Sequence, residues 1–416
     1  MVDDSKRHRT NRRTYIKGVA GAAGIAAFAG CTGGDGGSQE TSTTESGGTT
    51  EKTTASKTTT TKSGGSSGSL KFGFTSYVRG GSWITAYVEA AKFYAQDQGI
   101  QLDVRPNRQS STKQIQDIRD FANKGYDGIM VGVWQTGAAE SAINYAMDQG
   151  VPVMSTNADT SSSKIPLYVG FSNYSGGKTS GEQMVKALKE QYPNKDSYHV
   201  LNVRGIQGNQ SANQRSQGFL DVMKKHDNIT VDKTINGKYA QDVAQNKTQQ
   251  YINANGTPDG IYSGNLSMGL GVHGALKNLG KLHKKGEDGH IVLTQMDGSP
   301  QVNPLVGQGF IDAAVDQPNY FYNPIAMKYL KMYVEAGGVD GGGDSVIPKP
   351  DTTVTKDQFS ISSGQHKGIE MWSKQIWSPA PIKTQNGHPW LQTNSIVITQ
   401  ENYDKPYLWG NVWGNK

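Results

Sequence analysis

Cysteine is almost absent from these 416 residues, and the single one is Cys31. A disulfide framework and a cysteine-rich zinc site are therefore excluded. Histidine is sparse as well: eight residues lie scattered, with no HExxH spacing, so neither a metal nor another cofactor is expected. A GxSxG elbow beyond residue 69 and a dinucleotide fingerprint in the first strand–helix unit are also missing, which removes the usual sequence signs of an enzyme. No long apolar run is present; the best, residues 18–29, is too short and glycine-rich to span a bilayer stably. A basic face is lacking too. Lys6, Arg7, Arg9, Arg12, Arg13 and Lys17 against Asp3 and Asp4 give residues 1–30 a charge of +4, which leaves +2 of the total +6 for the rest, with no run of Lys or Arg. A nucleic-acid partner has no electrostatic footprint on such a chain.

What is present begins with an address. Arg12-Arg13-Thr14-Tyr15-Ile16-Lys17 before the small-residue run resembles a twin-arginine export signal. Phe28-Ala29-Gly30-Cys31 resembles a lipobox, with Phe28 where leucine is usual, so Cys31 is the expected lipid attachment site; the plain reading is a free thiol at a chance position. Residues 31–69 are nearly all Thr, Ser, Gly, Lys and Glu. With no large apolar side chain to bury, such a segment cannot offset its ordering entropy and should be a disordered linker.

From residue 70 the chain alternates short apolar strands with amphipathic helices, the rhythm of an α/β fold with parallel sheets. Strands are predicted at 70–75, 101–105, 128–133 and 151–155, with helices near 82–98, 111–124 and 136–149. Ser111 and Gln114 form a capping box for the second helix. A second series has strands near 198–202, 229–234, 260–263, 291–294 and 313–315, with helices near 212–225, 240–255 and 267–279. Two Rossmann-like lobes follow, joined by crossover hinge segments: 70–171 with about 318–337, and 172–317. The strand-to-helix stretch 167–179 is the first crossover. Its Gly177-Lys178-Thr179 invites a phosphate-loop reading, but Ser172 stands where the loop's first glycine belongs.

Gly99-Ile100-Gln101-Leu102-Asp103-Val104, Gln114-Ile115-Gln116-Asp117, Gly125-Tyr126-Asp127-Gly128-Ile129-Met130-Val131 and Gly150-Val151-Pro152-Val153-Met154 resemble, in order and spacing, the sugar-binding proteins of bacterial ABC importers. The resemblance continues through Gln214-Arg215-Ser216-Gln217-Gly218-Phe219, Asp259-Gly260-Ile261-Tyr262-Ser263-Gly264-Asn265 and Val292-Leu293-Thr294-Gln295-Met296-Asp297-Gly298. It implies a type I periplasmic binding protein of the ribose-, xylose- and galactose-binding kind, with a monosaccharide held between the lobes. An ABC permease with its ATPase subunits would be the partner, and the place would be the outer face of the cell membrane, lipid-anchored, as a monomer. A sugar or autoinducer receptor feeding a membrane signalling partner uses the same fold. A nucleoside ligand fits it too, and a glycosidase would need a carboxylate pair such as Asp297 with Asp159 or Asp316.

Open parallel sheets bind ligands beyond the carboxyl ends of their strands, and a neutral sugar needs aromatic faces and planar amide, carboxylate or guanidinium groups. Asn265, Asp297 and Gln317 follow predicted strands, and ribose binders carry the same residue types at those positions. Asn265 and Asp297 could equally be helix caps. Asn157 matches an Asn of glucose/galactose binders, but Ala158 and Asn213 stand where ribose binders carry Arg, so a pocket short of two guanidiniums is expected, with xylose or arabinose favoured and glucose or galactose next. Trp83 and Tyr239 are the chosen aromatic walls; Trp134, Tyr77 and Asp159 rank behind them. Residues 338–416 form an extension holding five of the seven tryptophans, expected to strap across both lobes. Six Asn-x-Ser/Thr sequons suit an exported chain but include Asn265 itself.

Overall fold

A computed structural model of the chain describes residues 69–76, 81–362, 364–366 and 368–413. The export signal, Cys31, nearly all of the linker and Tyr77 lie outside the described residues. The first series is β1 (Lys71–Ser76), α1 (Ser82–Asp97), β2 (Gln101–Pro106), α2 (Ser111–Asn123), β3 (Gly128–Val131), α3 (Glu140–Asp148), β4 (Val153–Thr156) and β5 (Tyr168–Phe171). The second is α4 (Asn173–Gln191), β6 (Tyr198–Arg204), α5 (Gln210–Met223), β7 (Ile229–Asn236), α6 (Gln241–Asn255), β8 (Gly260–Ser263), α7 (Leu266–Asn278), β9 (Val292–Met296), α8 (Val302–Gly307) and β10 (Ala313–Asp316). The remainder is α9 (Asn319–Glu335), α10 (Gly338–Gly341), β11 (Thr353–Val354), β12 (Gln365–His366), β13 (Ile369–Glu370), β14 (Ala380–Gln385), β15 (His388–Thr393), β16 (Ile396–Ile398) and α11 (Trp409–Val412).

Two sheets organise these elements. One runs β11-β14-β15-β5-β4-β3-β1-β2 and the other β16-β10-β9-β8-β6-β7. The central strands pair in parallel, and β3, β4, β5, β8, β9 and β10 are buried along their whole length, which is why they read as mostly apolar segments rather than alternating ones. Within each lobe the order reverses at the first strand, so loops diverge after β1 and β3 in one lobe and after β6 and β8 in the other.

The lobes repeat each other in detail. Asn157 N donates to the Val169 carbonyl at 2.9 Å beyond β4, and Asp297 N to the Val315 carbonyl at 2.9 Å beyond β9. Both residues take positive φ, 65° and 69°, a turn that swings the following loop away from the sheet; Asn and Asp tolerate it better than most residues.

The chain passes between the sheets at Ser172, at Gln317–Pro318 and again at Asn394–Ser395. The last passage belongs to the C-terminal stretch, which does more than lie across the lobes. Its β15 pairs in parallel with β5, and its β16 pairs antiparallel with β10. Its tryptophans act as staples: Trp372 against Phe93, Tyr94 and Phe321, Trp377 against Phe359, Trp390 stacked on Tyr168, and Trp413 against Tyr320.

Two local expectations change, and a third reading gains its physical reason. The cap of α2 is Ser110, whose hydroxyl accepts from Lys113 N at 3.2 Å, not Ser111. Helix α3 starts at Glu140 rather than 136, because Thr136 turns outward and its carbonyl takes the Ser161 amide. Gly177-Lys178-Thr179 lies inside α4, where the glycine serves helix packing: a Cβ on Gly177 would strike the Arg215 backbone, and one on Gly218 the Tyr174 carbonyl. Backbone cannot yield as a flexible side chain can. Gly177→Ala should therefore cost about 1–3 kcal/mol by overpacking and move the turn of α5 that carries Arg215. Chemical denaturation checks this, and an unchanged midpoint would contradict the close approach.

Candidate functional site

A cavity of about 370 Å³ opens beyond the carboxyl ends of both sets of parallel strands. Six of the seven ligand-binding candidates line it: Trp83, Asn157, Tyr239, Asn265, Asp297 and Gln317. Trp134 is on its wall as well. Asn213 is not among the lining residues; it is exposed on α5, and its Oδ1 accepts from the Arg204 guanidinium. The cavity nevertheless holds a guanidinium, that of Arg215, two residues further on. The two guanidiniums missing at Ala158 and Asn213 are thus offset in part by one from Arg215, a residue not predicted to reach the pocket. Two residues advance an α-helix by about 200°, enough to exchange the exposed face for the buried one.

Arg215 organises the floor. Its Nη1 donates to the Gly264 carbonyl at 2.9 Å and to Asp297 Oδ2 at 3.3 Å, and its Nε donates to Asn173 Oδ1 at 2.8 Å. Gln317 Nε2 donates to Asp297 Oδ1 at 2.7 Å, and Tyr322 OH donates to Gln317 Oε1 at 3.0 Å. Burial alone would lower the Arg215 pKa, but the neighbouring Asp297 carboxylate outweighs it and raises it further. A charged, internally compensated pair therefore sits at the bottom of the cavity. Asn173 and Gln317 are the residues directly beside the first two passages between the sheets, so this network spans the hinge itself.

The remaining polar groups are neutral. Asn265 caps α7 through Oδ1, which accepts from Met268 N at 3.0 Å, leaving the Nδ2 donors for the cavity; the capping and lining roles coexist. Asp297 caps no helix, since α8 begins beyond Gln301. Gln109, Asn209, Ser211 and Ser267 add hydroxyl and amide groups that the sequence reading did not select.

The aromatic walls are fixed from behind. Trp83 stacks on Tyr87, with centroids 5.4 Å apart and planes 27° apart, and its carbonyl accepts from Asn319 Nδ2 at 3.0 Å. Its indole N–H is buried without a hydrogen-bond partner, a donor that a bound hydroxyl could satisfy. Tyr239 lies over Gly205, where any Cβ would collide with its ring. Its hydroxyl donates to Asn209 Oδ1 at 3.3 Å, and burial pushes its pKa up, so it stays neutral near pH 7.

Asp159 belongs elsewhere. Its Oδ1 accepts from Thr160 N at 2.8 Å and pairs with His388 Nε2 at 2.7 Å; its Oδ2 accepts from Gln385 at 2.7 Å and Asn386 at 2.8 Å. It anchors the β14–β15 hairpin. Asp316 does not line the cavity either: its Oδ1 accepts from Trp409 Nε1 at 2.9 Å and Gly298 N at 3.0 Å. Among the described residues no group of three or more His, Cys, Asp or Glu is arranged to hold a metal, and no helix is long and apolar enough to cross a membrane.

The sequence profile of the periplasmic binding protein domain matches residues 72–338. The chain is 26% identical over 274 residues to the galactofuranose-binding protein YtfQ of Escherichia coli (strain K12), covering 64% of this chain and 83% of that protein. It is 21% identical over 229 residues to the ribose import binding protein RbsB of the same strain, covering 55% and 73%. Among solved structures, a galactofuranose binding protein superposes with a TM-score of 0.62 at 20% identity, covering 83% of this chain and 100% of that one. The arabinose binding protein AraP from Geobacillus stearothermophilus gives 0.61 at 18% identity, covering 82% and 100%. At these identities the structural matches speak to the fold.

Proposed function

The chain belongs to the family of periplasmic binding protein domains, and we propose from that membership and its cavity that it is a sugar-binding protein serving an ABC importer. The observation that carries the reading is the cavity itself. It sets three aromatic faces, those of Trp83, Trp134 and Tyr239, around amides, hydroxyls and one compensated Arg215–Asp297 pair. Aromatic faces match sugar C–H patches, and side chains that donate or accept match hydroxyls. A net charge near zero suits a neutral polyol better than a nucleotide or an organic acid. A pentose such as xylose or arabinose remains the favoured ligand, with glucose or galactose next; the relatives named for ribose, arabinose and galactofuranose keep the choice among small sugars.

Around that site the wider reading is an exported chain tethered through Cys31, handing its sugar to a permease with ATPase subunits and acting without bond chemistry. Ligand bridging the two sheets would shift an open–closed equilibrium through the passages at Ser172, Gln317–Pro318 and Asn394–Ser395.

A thermal-shift screen of the full chain against pentoses, hexoses, nucleosides and small acids tests the ligand class, since a ligand that prefers the native state raises the melting temperature. A sugar should raise it, and Trp83→Ala should weaken that sugar at least tenfold, about 1.4 kcal/mol. A shift produced by nucleosides or acids alone would contradict the sugar reading.

A further inference from the structure

A second cavity of about 170 Å³ adjoins the first, large against the roughly 10–15 Å³ that one water requires on the same measure. The two share Asn157, Ala158, Asn173 and Ser211 as lining residues, so they meet along these four. The chamber continues away from Arg215 toward the C-terminal stretch, where Gln385 of β14 and Trp390 of β15 close it. Gln210 and Gln214 bring amides to it from α5.

Its outer wall is built rigidly. Trp390 stacks on Tyr168 at 5.7 Å and donates to the Gly170 carbonyl at 3.1 Å, while Tyr168 OH donates to the Asn157 carbonyl at 3.1 Å. Three hydrogen bonds to Asp159, from Gln385, Asn386 and His388, hold Gln385 and the turn after it against the loop beyond β4. Where the two meet, Ala158 carries nothing larger than a methyl group. Amides, two serines, the rings of Tyr168 and Trp390 and the Asp159 carboxylate, itself held by Gln385, Asn386 and His388, line the chamber with groups of the kind found in the main cavity.

We propose that the site is longer than one sugar ring: the main cavity takes the first ring and the chamber takes a second, hydroxylated unit linked to it, so the preferred ligand is a disaccharide or similar glycoside. The inference rests on the sugar reading above and narrows its substrate class. The linkage passes Ala158, and Gln214 and Gln385 offer donors and acceptors to the second unit beside Trp390.

Isothermal titration of the full chain with xylose, arabinose, galactose and glucose, and with xylobiose, arabinobiose, lactose, cellobiose and trehalose, tests it. At least one disaccharide should bind tenfold or more tightly than either of its component sugars. Ala158→Leu, which narrows the passage, and Gln214→Leu, on a half-buried helix face where folding is not at risk, should each cut that ratio of affinities at least tenfold. If a monosaccharide binds and no disaccharide exceeds it, or if the ratio survives both variants, the chamber is no subsite while the sugar reading stands. If no sugar of either size binds, both fall.

Discussion

Asp297→Ala should unfold at a markedly lower denaturant concentration than the parent and bind no sugar. Asp297 is 4% exposed and Arg215 8%, so removing the carboxylate strands a guanidinium in a medium where its charge is poorly solvated. Breaking a buried pair by deleting one partner costs about 3–5 kcal/mol, and here Gln317 Nε2 loses its acceptor as well. Asp297→Asn is the informative control. An amide oxygen can still accept from Gln317 or from Arg215, so most of the shape survives while the charge is lost; the loss of stability should be smaller, and the loss of sugar affinity still large. Denaturation midpoints of the three proteins, with and without the sugar found by screening, measure both effects. Equal stability of Asp297→Ala and parent would mean that the pair does not organise the floor of the cavity.

The second large effect concerns pH. Asp316 is buried, its Oδ2 has no hydrogen-bond partner, and burial pushes its pKa from the ordinary 3.8 up to about 7, with Asp297 adding to the rise and Trp409 and Gly298 opposing it. Between about pH 4 and 7 the folded chain keeps a proton that the unfolded chain has already released, so stability must fall as pH rises through that window. Roughly three pKa units at about 1.4 kcal/mol each put the loss near 4 kcal/mol. Asp316→Asn keeps an oxygen for Trp409 Nε1 and Gly298 N and should remove most of this slope.

His290 adds a contribution of the same sign. Burial opposes its charge, but Asp312 and the His283 carbonyl outweigh burial and raise its pKa, so its stabilising charged form is lost as pH rises through that value. Urea midpoints at pH 5 and pH 8 should therefore fall steeply in the parent and gently, but not to zero, in Asp316→Asn. Parallel lines would contradict the buried, strained acid at the end of β10.

Much of the site was legible because it hangs from strand ends. Each buried parallel strand is a short apolar run, and a polar planar residue just past it, such as Asn157, Asn265, Asp297 or Gln317, must sit where open sheets bind ligands. Arg215 was not legible in the same way. It lies inside α5, and which face of that helix meets the cavity depends on how closely α4 approaches at Gly177 and Gly218; no periodicity records that distance, and Asn213 lies on the exposed face, bonded to Arg204. Asn173 is not legible from its local stretch, because its role is a hydrogen bond to Arg215, 42 positions away in the chain. The C-terminal strands were hidden for a related reason. Pairing of β15 with β5 joins residues more than 200 positions apart, and β16 is a three-residue strand whose partner β10 fixes it.

Calorimetric titration of the full chain with the sugar identified by screening tests the central claim most directly. One site per chain is expected, with a dissociation constant near micromolar, about −8 kcal/mol, and no measurable heat of binding in Asp297→Asn. Absence of binding by every sugar would contradict the sugar reading, and undiminished binding in that variant would place the ligand outside the cavity between the sheets.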